Sequence, residues 1–330
     1  MENYVDVIGI DVSKLTLDAY MHKKGEYAVF TNNRKGFNNL LIWSNKKHRP
    51  TSVFYCFENT GNYSLKLASY LSDKSIDYVE ENPLLIKRSV GIVRGKTDKL
   101  DSVMIARYAW LHREELSLSK VRGITLQELG RLLALREQFV RNRTGLINSL
   151  KELTSLLNSP STDTCCKSVR CSINYLSKQV LKIESRINKL IKTEASLYKN
   201  YKLLQTMIGV GLVLGSQLLY HTFNFKRFDT WRQFSSYCGT APFEYSSGTS
   251  IHKPKRCHHI GDRKMKTLLS LASISAIQHD SELKLYYRKK IEEGKPKMVA
   301  LNNVRNKILS RAFAVIKRGT PYVELKQFAS

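Results

Sequence analysis

The first part of the chain alternates between short apolar runs and polar turns, a pattern that predicts three consecutive β-strands. An apolar run from Val5 to Ile10 ends at Asp11, residues Thr16–His22 alternate between apolar and polar, and Tyr27–Thr31 follows a Lys-Gly turn. Runs of this kind, bounded by turn residues, are typical of strands. Because tight turns join them, we expect neighbouring strands to be antiparallel.

Segments with helical spacing then separate two more strands. The pattern predicts a helix around Phe37–Trp43, a strand over Val53–Phe57, a helix over Tyr63–Leu71, a strand over Ile76–Val79 and a helix over Asp98–Leu111. Strands that are joined through helices run parallel. This order predicts an α/β domain with the RNase H-like fold, although other α/β domains have similar orders.

The middle of the chain has the apolar spacing of two long helices. Apolar residues recur at helical spacing from Leu126 to Leu153, and a polar, cysteine-containing break covers Ser159–Cys166. A heptad pattern, interrupted at Glu194, then predicts a coiled coil that pairs within one chain, between subunits, or both. Its positions are Ile173, Leu176, Val180, Ile183, Ile187, Leu190 and Leu197.

The last segment, from about Leu203, is predicted to be mainly α-helical, with a loop-rich stretch over Tyr237–Gly261. These changes of pattern divide the chain into three predicted domains. They are an α/β domain over residues 1–115, a coiled-coil helical region over 116–200 and a mainly α-helical C-terminal domain over 201–330.

Charge is unevenly distributed along the chain. The 330 residues carry a formal net charge of +26, from 54 Lys and Arg against 28 Asp and Glu. Residues 1–115 have a net charge of only +3, whereas residues 116–199 have +9 and residues 200–330 have +14. Because each cation that neutralises a phosphate releases a counterion, this excess favours a nucleic-acid partner over a merely basic soluble protein.

No segment of the sequence predicts export or a membrane span. The N-terminus is not basic, and the run Val5–Ile10 is too short for a signal peptide. The longest apolar stretch, Met207–Tyr220, contains three glycines and is shorter than the roughly 20 residues that a bilayer requires. We expect a cytoplasmic protein of bacterial type, associated with the nucleoid, whose six cysteines are reduced thiols.

Four carboxylates stand where predicted elements begin or end. Asp11 follows the first strand, Glu58 follows the strand expected beside it, and Asp98 and Asp101 share one face of a helix. Singly, each has a structural explanation, such as a helix cap or a solvated charge. Together they predict a metal site, because converging carboxylates repel each other unless hard cations such as Mg²⁺ or Mn²⁺ lie between them.

Three sequence blocks around these acids resemble a known family. The blocks Ile8–Lys14, Phe57–Tyr63 and Lys96–Asp101 are similar to those of the DEDD insertion-sequence transposases, a group related to the Piv-type DNA invertases. Asn59 and Ser102 depart from the small residue and the alanine expected there. The resemblance implies a RuvC-like N-terminal domain. It also implies a catalytic, metal-binding tetrad at Asp11, Glu58, Asp98 and Asp101.

The C-terminal part resembles the second domain of the same family. Its motif includes Gly239–Pro242, Ser247-Gly248, a basic loop over Lys253–Arg256, and Ile260-Gly261. Without the resemblance, a Ser-Ser-Gly segment indicates only a flexible turn. The resemblance implies that Ser247, or else the adjacent Ser246, is a catalytic nucleophile. Because a serine hydroxyl needs activation, we hypothesise that the carboxylate-bound metal of one subunit serves the serine of another.

Two further features predict contacts with nucleic acid. The turn Gly209-Val210-Gly211 resembles that of a helix-hairpin-helix, in which glycines let backbone amides approach a phosphate; a tight turn inside a core is the equal alternative. Six basic residues near the serine are expected to face phosphates rather than only solvent. They are Lys253, Lys255, Arg256, Arg263, Lys264 and Lys266.

Cysteines and histidines in the same region raise the alternative of a zinc site. The residues concerned are Cys238, His252, Cys257, His258 and His259. Their spacing fits no structural zinc pattern, and adjacent histidines seldom share a tetrahedral ion. We therefore interpret them as loop residues near nucleic acid.

The favoured function is that of a transposase, which cleaves and rejoins DNA strands by phosphodiester transfer. The resemblance implies a structured non-coding guide RNA as a second polyanionic partner. The coiled coil indicates a dimer, and recombination of two duplexes indicates a tetramer. One alternative is a Holliday-junction endonuclease with the same RuvC-like site and a metal-activated water. The presence of all four carboxylates argues against a DNA-binding protein with a decayed site.

Overall fold

The computed structural model describes residues 4–323 except 47–51, 60, 90, 92–94, 96, 158–162, 248–250 and 259. Of residues 62, 245–247 and 251–255 it describes the backbone but not the side chains. The chain forms two compact units, Met1–Val121 and Arg122–Ser330. The long middle helices and the C-terminal helices contribute to one hydrophobic core, and the division of this second unit at residue 200 stays a prediction.

The first unit is built on a five-stranded sheet. Its strands are β1 (Asp6–Val12), β2 (Thr16–Met21), β3 (Tyr27–Thr31), β4 (Val53–Glu58) and β5 (Tyr78–Glu81), in the order β3-β2-β1-β4-β5. The first three strands pair antiparallel, and β4 runs parallel to both β1 and β5. The predicted α/β domain is therefore confirmed, whereas its RuvC-like assignment stays a prediction. Strand β5 begins two residues later than expected, because Ile76 packs into the core before pairing starts at Tyr78.

Helices cover both faces of this sheet. Helices α1 (Arg34–Asn45) and α2 (Asn62–Asp73) pack against one face, and α3 (Pro83–Ser89) and α4 (Asp98–Leu111) pack against the other. The short helix α3 was not predicted, because its seven residues are too few to show a helical period.

A glycine allows helix α4 to lie directly on the central strand. A Cβ atom added to Gly9 would stand 2.3 Å from the backbone nitrogen of Ala106 and 2.5 Å from the carbonyl oxygen of Ser102. No side chain fits at that separation, so the backbones of β1 and α4 touch. Ser102, where the family pattern has alanine, is fully buried and donates a hydrogen bond to the carbonyl of Lys99 at 2.8 Å.

The second unit is mainly helical and contains one β-hairpin among its described residues. Its helices before the hairpin are α5 (Ile124–Leu156), α6 (Thr164–Lys192), α7 (Ala195–Gln205), α8 (Leu212–His221) and α9 (Trp231–Tyr237). The hairpin strands are β6 (Pro242–Ser247) and β7 (Ile251–Cys257), and α10 (Arg263–His279), α11 (Ser281–Glu292) and α12 (Lys297–Arg318) follow. The expectation of a loop-rich stretch over Tyr237–Gly261 is thus corrected, because much of that stretch pairs as the antiparallel β6–β7 hairpin.

Helices α5 and α6 form an antiparallel helical hairpin. Ion pairs join Arg136 to Glu184 at 2.7 Å and Arg186 to Glu128 at 3.0 Å. The predicted break is shorter than expected, because Asp163 caps α6 by accepting a hydrogen bond from the amide of Cys166; residues 158–162 of that break lie outside the described residues.

The heptad positions of α6 are not equally buried. Ile173 and Leu176 are half-buried, whereas the later positions from Val180 to Leu190 are buried. Leu197 lies on the separate helix α7, because the chain leaves α6 at Lys192. The coiled-coil assignment stays a prediction.

The described helices include none that is both long and apolar enough to cross a membrane. All six cysteines are free thiols, of which Cys56, Cys166 and Cys238 are buried.

Replacing Gly9 by alanine is expected to destabilise the first unit by about 3 kcal/mol, the upper end of the range for overpacking, because the atoms it meets are backbone. The control is Gly145→Ala in α5, where an added Cβ has open space and helix propensity favours alanine by about 0.5–1 kcal/mol. Urea unfolding followed by circular dichroism measures both changes. Equal transitions in the two variants would contradict the close contact.

Candidate active site

Strand register places Asp11 and Glu58 side by side. Ile10 pairs with Phe57 on the parallel strands β1 and β4, and the two acids are the next residue on each strand. Val7 and Cys56 pack under α4. Asp11 lies four residues after Val7 and Glu58 lies two residues after Cys56, and side chains at even spacing along a strand share a face, so both carboxylates belong to the face that α4 covers. The predicted adjacency therefore follows from the ladder itself.

The N-terminus of α4 brings two more acids over the same face. Thr97 is the N-cap, and its hydroxyl accepts a hydrogen bond from the amide of Leu100 at 3.2 Å. Asp98 is therefore not the N-cap of α4, so helix capping does not explain why an acid stands at this position. Asp98 and Asp101 occupy the first turn, where the helix dipole stabilises negative charge.

Three of the predicted tetrad residues lie within ligand distance of one another. A carboxylate oxygen from each of Asp11, Asp98 and Asp101 lies within 4.8 Å of the other two. Glu58 is outside this group, but its charge still acts on Asp11. Burial, followed by the charges of Asp101, Asp98, Glu58 and Asp18, raises the pKa of Asp11 from 3.8 to about 6.

This donor set suits a hard divalent cation. Carboxylate oxygens are the ligands that Mg²⁺, Mn²⁺ and Ca²⁺ accept, and a cation held by Asp11, Asp98 and Asp101 would offset the repulsion among them. Asp11 is half-buried and Asp98 is exposed, so the cluster is open on one side to a phosphate. The arrangement therefore fits a divalent metal.

Two acids near the cluster were not identified from the sequence. Asp18 pairs with Asp11 across β1 and β2, and Glu81 pairs with Glu58 across β4 and β5. The result is a carboxylate row, Asp18–Asp11–Glu58–Glu81, across four strands. Asp18 is buried and accepts a hydrogen bond from the hydroxyl of Tyr27. The alternation of Leu17, Ala19 and Met21 already assigns Asp18 to the opposite face, and is the signal that could have found it.

The candidate serines end the first strand of the β6–β7 hairpin. Ser246 pairs with His252 and Ser247 with Ile251, and residues 248–250 of the family motif lie outside the described residues. The structure therefore places both serines in a strand rather than in the predicted loop. It describes their backbone and leaves the choice between them as a prediction.

Two glycines join the ends of this hairpin. Gly239 has a positive φ of 67°, and a Cβ added to Gly261 would stand 2.5 Å from the Cα atom of Gly239. The chain before β6 and the chain after β7 therefore touch backbone to backbone. This contact explains physically why glycine occupies both motif positions.

Helix α12 holds the base of the hairpin. The carbonyl oxygen of Thr240 accepts hydrogen bonds from the side-chain amides of Asn302 at 2.8 Å and Asn306 at 3.0 Å. Asn302 also lies 3.4 Å from the thiol sulfur of Cys257, at the end of β7. Both strands are therefore anchored to one helix.

The predicted nucleic-acid residues divide into three groups. Lys253 and Lys255 belong to β7, but their side chains lie outside the described residues. Lys264 makes an ion pair with Glu137 of α5 at 2.5 Å, so part of its charge is neutralised within the protein. The other three line one cavity, and they are Arg256, Arg263 and Lys266.

The Gly209-Val210-Gly211 turn links α7 to α8. Gly209 has a positive φ of 87°, and a Cβ there would stand 2.7 Å from the carbonyl oxygen of Ala272 in α10. Packing therefore accounts for Gly209. Gly211 is exposed with open space beside it and caps α8, so a phosphate contact at this helix N-terminus stays a prediction.

The cysteines and histidines near the hairpin have other partners. Cys238 is buried, and the thiol of Cys257 donates to the carbonyl of Thr240 at 3.4 Å. The side chain of His252 and the whole of His259 lie outside the described residues. Among the described side chains, the carboxylates of Asp11, Asp98 and Asp101 are the group whose ligand atoms lie close enough together to share an ion.

Comparison with known proteins gives independent information. Residues 8–158 match a model of DEDD transposases of the IS110 group, described as a transposase, and residues 201–288 match the transposase IS116/IS110/IS902 family. The chain is 29% identical over 326 residues to pilin gene-inverting proteins of Moraxella bovis and Moraxella lacunata, with 96% of this chain and 97% of each relative covered. It is 28% identical over 178 residues to an uncharacterized 43.6 kDa protein of insertion element IS110 from Streptomyces coelicolor, with 54% of this chain and 43% of the relative covered.

Affinity for a divalent metal is expected to rise as pH increases to about 6 and then to level off, because a proton on Asp11 competes with the metal. Below that pH the affinity should change by about tenfold per pH unit for the one proton released. Isothermal titration with Mn²⁺ between pH 5 and pH 8 measures the profile. Asp11→Asn should abolish binding, whereas Asp73→Asn, at an exposed site at the end of α2, should leave it unchanged. A flat profile would contradict the assignment.

Without metal, Asp11→Asn is expected to raise the melting temperature at pH 7 to 8. The pKa of Asp11 is higher in the folded protein than in the unfolded chain, so its ionisation opposes folding. This destabilisation is absent below about pH 3.8 and complete above about pH 6. Melting curves in chelator across this range should show the gain disappear toward pH 4. A variant that is no more stable at pH 8 would indicate that Asp11 is not under repulsion.

Proposed function

This chain belongs to the IS116/IS110/IS902 family of transposases and is a DNA-recombining enzyme, and we propose that it moves a mobile element by phosphodiester transfer through a serine. The observation that carries the proposal is the convergence of Asp11, Asp98 and Asp101 to within 4.8 Å of one another, in a chain that also carries the Ser246-Ser247 hairpin. We also propose that the first unit is RuvC-like. Its strand order and the position of the acids support this.

Asp11, Asp98 and Asp101, with Glu58 beside them, would hold the metal. We propose Mg²⁺, with Mn²⁺ as a substitute, because these ions prefer carboxylate oxygens. When bound, such an ion offsets charge on the phosphate and favours an ionised hydroxyl. The residues of the chain supply the geometry: the β1–β4 ladder orients Asp11 and Glu58, and the first turn of α4 orients Asp98 and Asp101.

Ser247 is the proposed nucleophile, and Ser246 is the other candidate. The serine oxygen would form a bond to phosphorus while one P–O ester bond of the strand breaks. The serine proton leaves to a base, and the released strand end gains a proton and becomes a hydroxyl. Because one phosphodiester replaces another, the reverse attack by a new strand end reseals the DNA without an external energy source.

The family and the relatives support DNA as the substrate. The curated relatives from Moraxella are named for inverting a pilin gene, which is a rearrangement of DNA. We propose that the surplus of basic residues, a formal charge of +26, serves a structured non-coding guide RNA in addition to DNA. We further propose a dimer or tetramer that acts on the nucleoid in the cytoplasm, in which the carboxylates of one copy serve the serine of another.

The serine assignment is tested by a covalent-adduct assay with element-junction DNA, the flanking transcript of the element and Mg²⁺, analysed on a denaturing gel. Wild-type protein should form a protein–DNA adduct. Asp11→Ala and Ser247→Ala should each lower adduct formation by about a thousandfold or more, because each removes a part of one reacting unit. Ser246→Ala, the matched control, should retain it.

The other outcomes of this assay are equally informative. Loss in Ser246→Ala with retention in Ser247→Ala would move the nucleophile by one residue. Strand cleavage without an adduct, abolished by Asp11→Ala alone, would indicate a Holliday-junction endonuclease with water as its nucleophile.

A mixing experiment tests whether the site is shared between copies. If the carboxylates and the serine of different copies cooperate, equal amounts of Asp11→Ala and Ser247→Ala protein should recover part of the adduct that neither forms alone. A mixture of Asp11→Ala with Glu58→Ala lacks a working carboxylate site in every copy and is the control. No recovery in the first mixture would place the whole reaction within one chain.

A further inference from the structure

A basic cavity opens beside the base of the β6–β7 hairpin. Its volume is about 870 Å³, which exceeds what a single phosphate needs and is enough for a nucleotide unit. The walls come from the hairpin base at Pro242, Arg256 and Cys257, and from the N-terminal parts of α10 and α12.

The charged residues that line this cavity and that the structure describes are all cations. They are Arg256, Arg263, Lys266, Lys295 and Arg305, and the described lining residues include no Asp or Glu. Arg263 and Lys266 lie in the first turns of α10, where the helix dipole is positive and disfavours a cation. Lys295 has a partner in Glu293 at 3.7 Å, at the outer edge. Positive side chains are thus concentrated where the charges of their neighbours and the helix dipole repel them. An anion in the cavity would offset this repulsion.

Arg305 is the most informative of these residues. It is only 5% exposed, and its side chain donates one hydrogen bond to the Oδ1 atom of Asn302 at 3.2 Å. Its Nε atom is buried and has no hydrogen-bond partner among the described residues. Burial lowers the pKa of Arg305. A buried guanidinium without a carboxylate is costly, and its planar fork matches two oxygens of a phosphate.

The same residue is connected to the hairpin. Asn302, which accepts the hydrogen bond from Arg305, also donates to the carbonyl of Thr240, directly before β6. An anion bound at Arg305 would therefore have a defined position relative to the hairpin base. Beside the cations, Met298 and Val299 line the cavity and are 64% and 47% exposed, so the cavity also offers apolar surface.

We propose that this cavity binds a phosphodiester of a nucleic-acid strand, with Arg305 as the anchor for the phosphate and with Met298 and Val299 in contact with the attached sugar or base. The choice of nucleic acid as the source of the phosphate rests on the proposed function. The binding chemistry itself is that of a phosphate, and free inorganic phosphate is the other source that the experiment separates.

The first measurement is fluorescence anisotropy with a labelled oligonucleotide at several salt concentrations. Arg305→Met should weaken binding by roughly tenfold to a hundredfold, the range for a charge-assisted hydrogen bond. The slope of the logarithm of affinity against the logarithm of salt concentration should also fall by the amount that corresponds to about one phosphate contact. Lys266→Gln, on the partly exposed wall, should act in the same direction and should fold even if Arg305→Met does not. Lys289→Gln, an exposed cation on α11 outside the cavity, controls for the loss of one charge.

The second measurement is the melting temperature in phosphate and in chloride at equal ionic strength. We expect phosphate to stabilise the wild-type protein but not the Arg305 or Lys266 variant. We also expect the variant to bind the oligonucleotide more weakly than the wild-type protein does. Phosphate stabilisation with unchanged oligonucleotide binding would assign the cavity to free phosphate and overturn its role with nucleic acid. If the Arg305 and Lys266 variants fold and behave like Lys289→Gln in both assays, the cavity does not bind a phosphate of either kind. Because neither assay involves strand cleavage, failure of the serine chemistry would not change these results.

Discussion

Repulsion among carboxylates is the constraint around which the first unit is organised. Asp11, Asp98 and Asp101 stand within 4.8 Å of one another, and this arrangement is held by backbone rather than by the acids themselves. The β1–β4 ladder fixes one side, and the contact of α4 with Gly9 fixes the other. The repulsion among these carboxylates therefore lowers the stability of the folded unit, and a bound divalent cation would restore that stability. Burial first, and the neighbouring carboxylates second, raise the pKa of Asp11.

The second unit has the opposite imbalance. Cations gather around a cavity, one of them is nearly removed from solvent, and the first turn of α10 carries Arg263 and Lys264 but no acid. In the proposed function, the carboxylate cluster of the first unit takes a cation and the cavity of the second unit takes an anion. A phosphodiester with its divalent counterion supplies both charges. The two proposed binding sites therefore belong to different compact units of the chain.

Local patterns predicted the first unit well because strand and helix periods decide which faces are buried. The apolar runs of β1 and β4, together with the order of the elements, were sufficient to place Asp11 and Glu58 on neighbouring strands, and the bounds of α4 were predicted correctly. Asp18 was missed although the alternation along β2 assigns it to the face opposite Leu17 and Ala19, and Glu81 was missed because its position beside Glu58 depends on the pairing of β4 with β5. The β6–β7 hairpin was missed because Pro254, the serines and a register shift near Phe243 obscure the period of two. The burial of Arg305 depends on tertiary packing and leaves no local trace.

The contact between Gly239 and Gly261 brings the two ends of the hairpin together at its base. Where two ends of a segment already meet, its outer residues can change in length and composition without altering the frame that carries them. The two glycines, Asn302 and Asn306 then form the fixed base of the hairpin, and the strand positions without a proposed role are less constrained. Related chains should accordingly differ sooner at the hairpin positions other than Ser246, Ser247 and Arg256 than at this base.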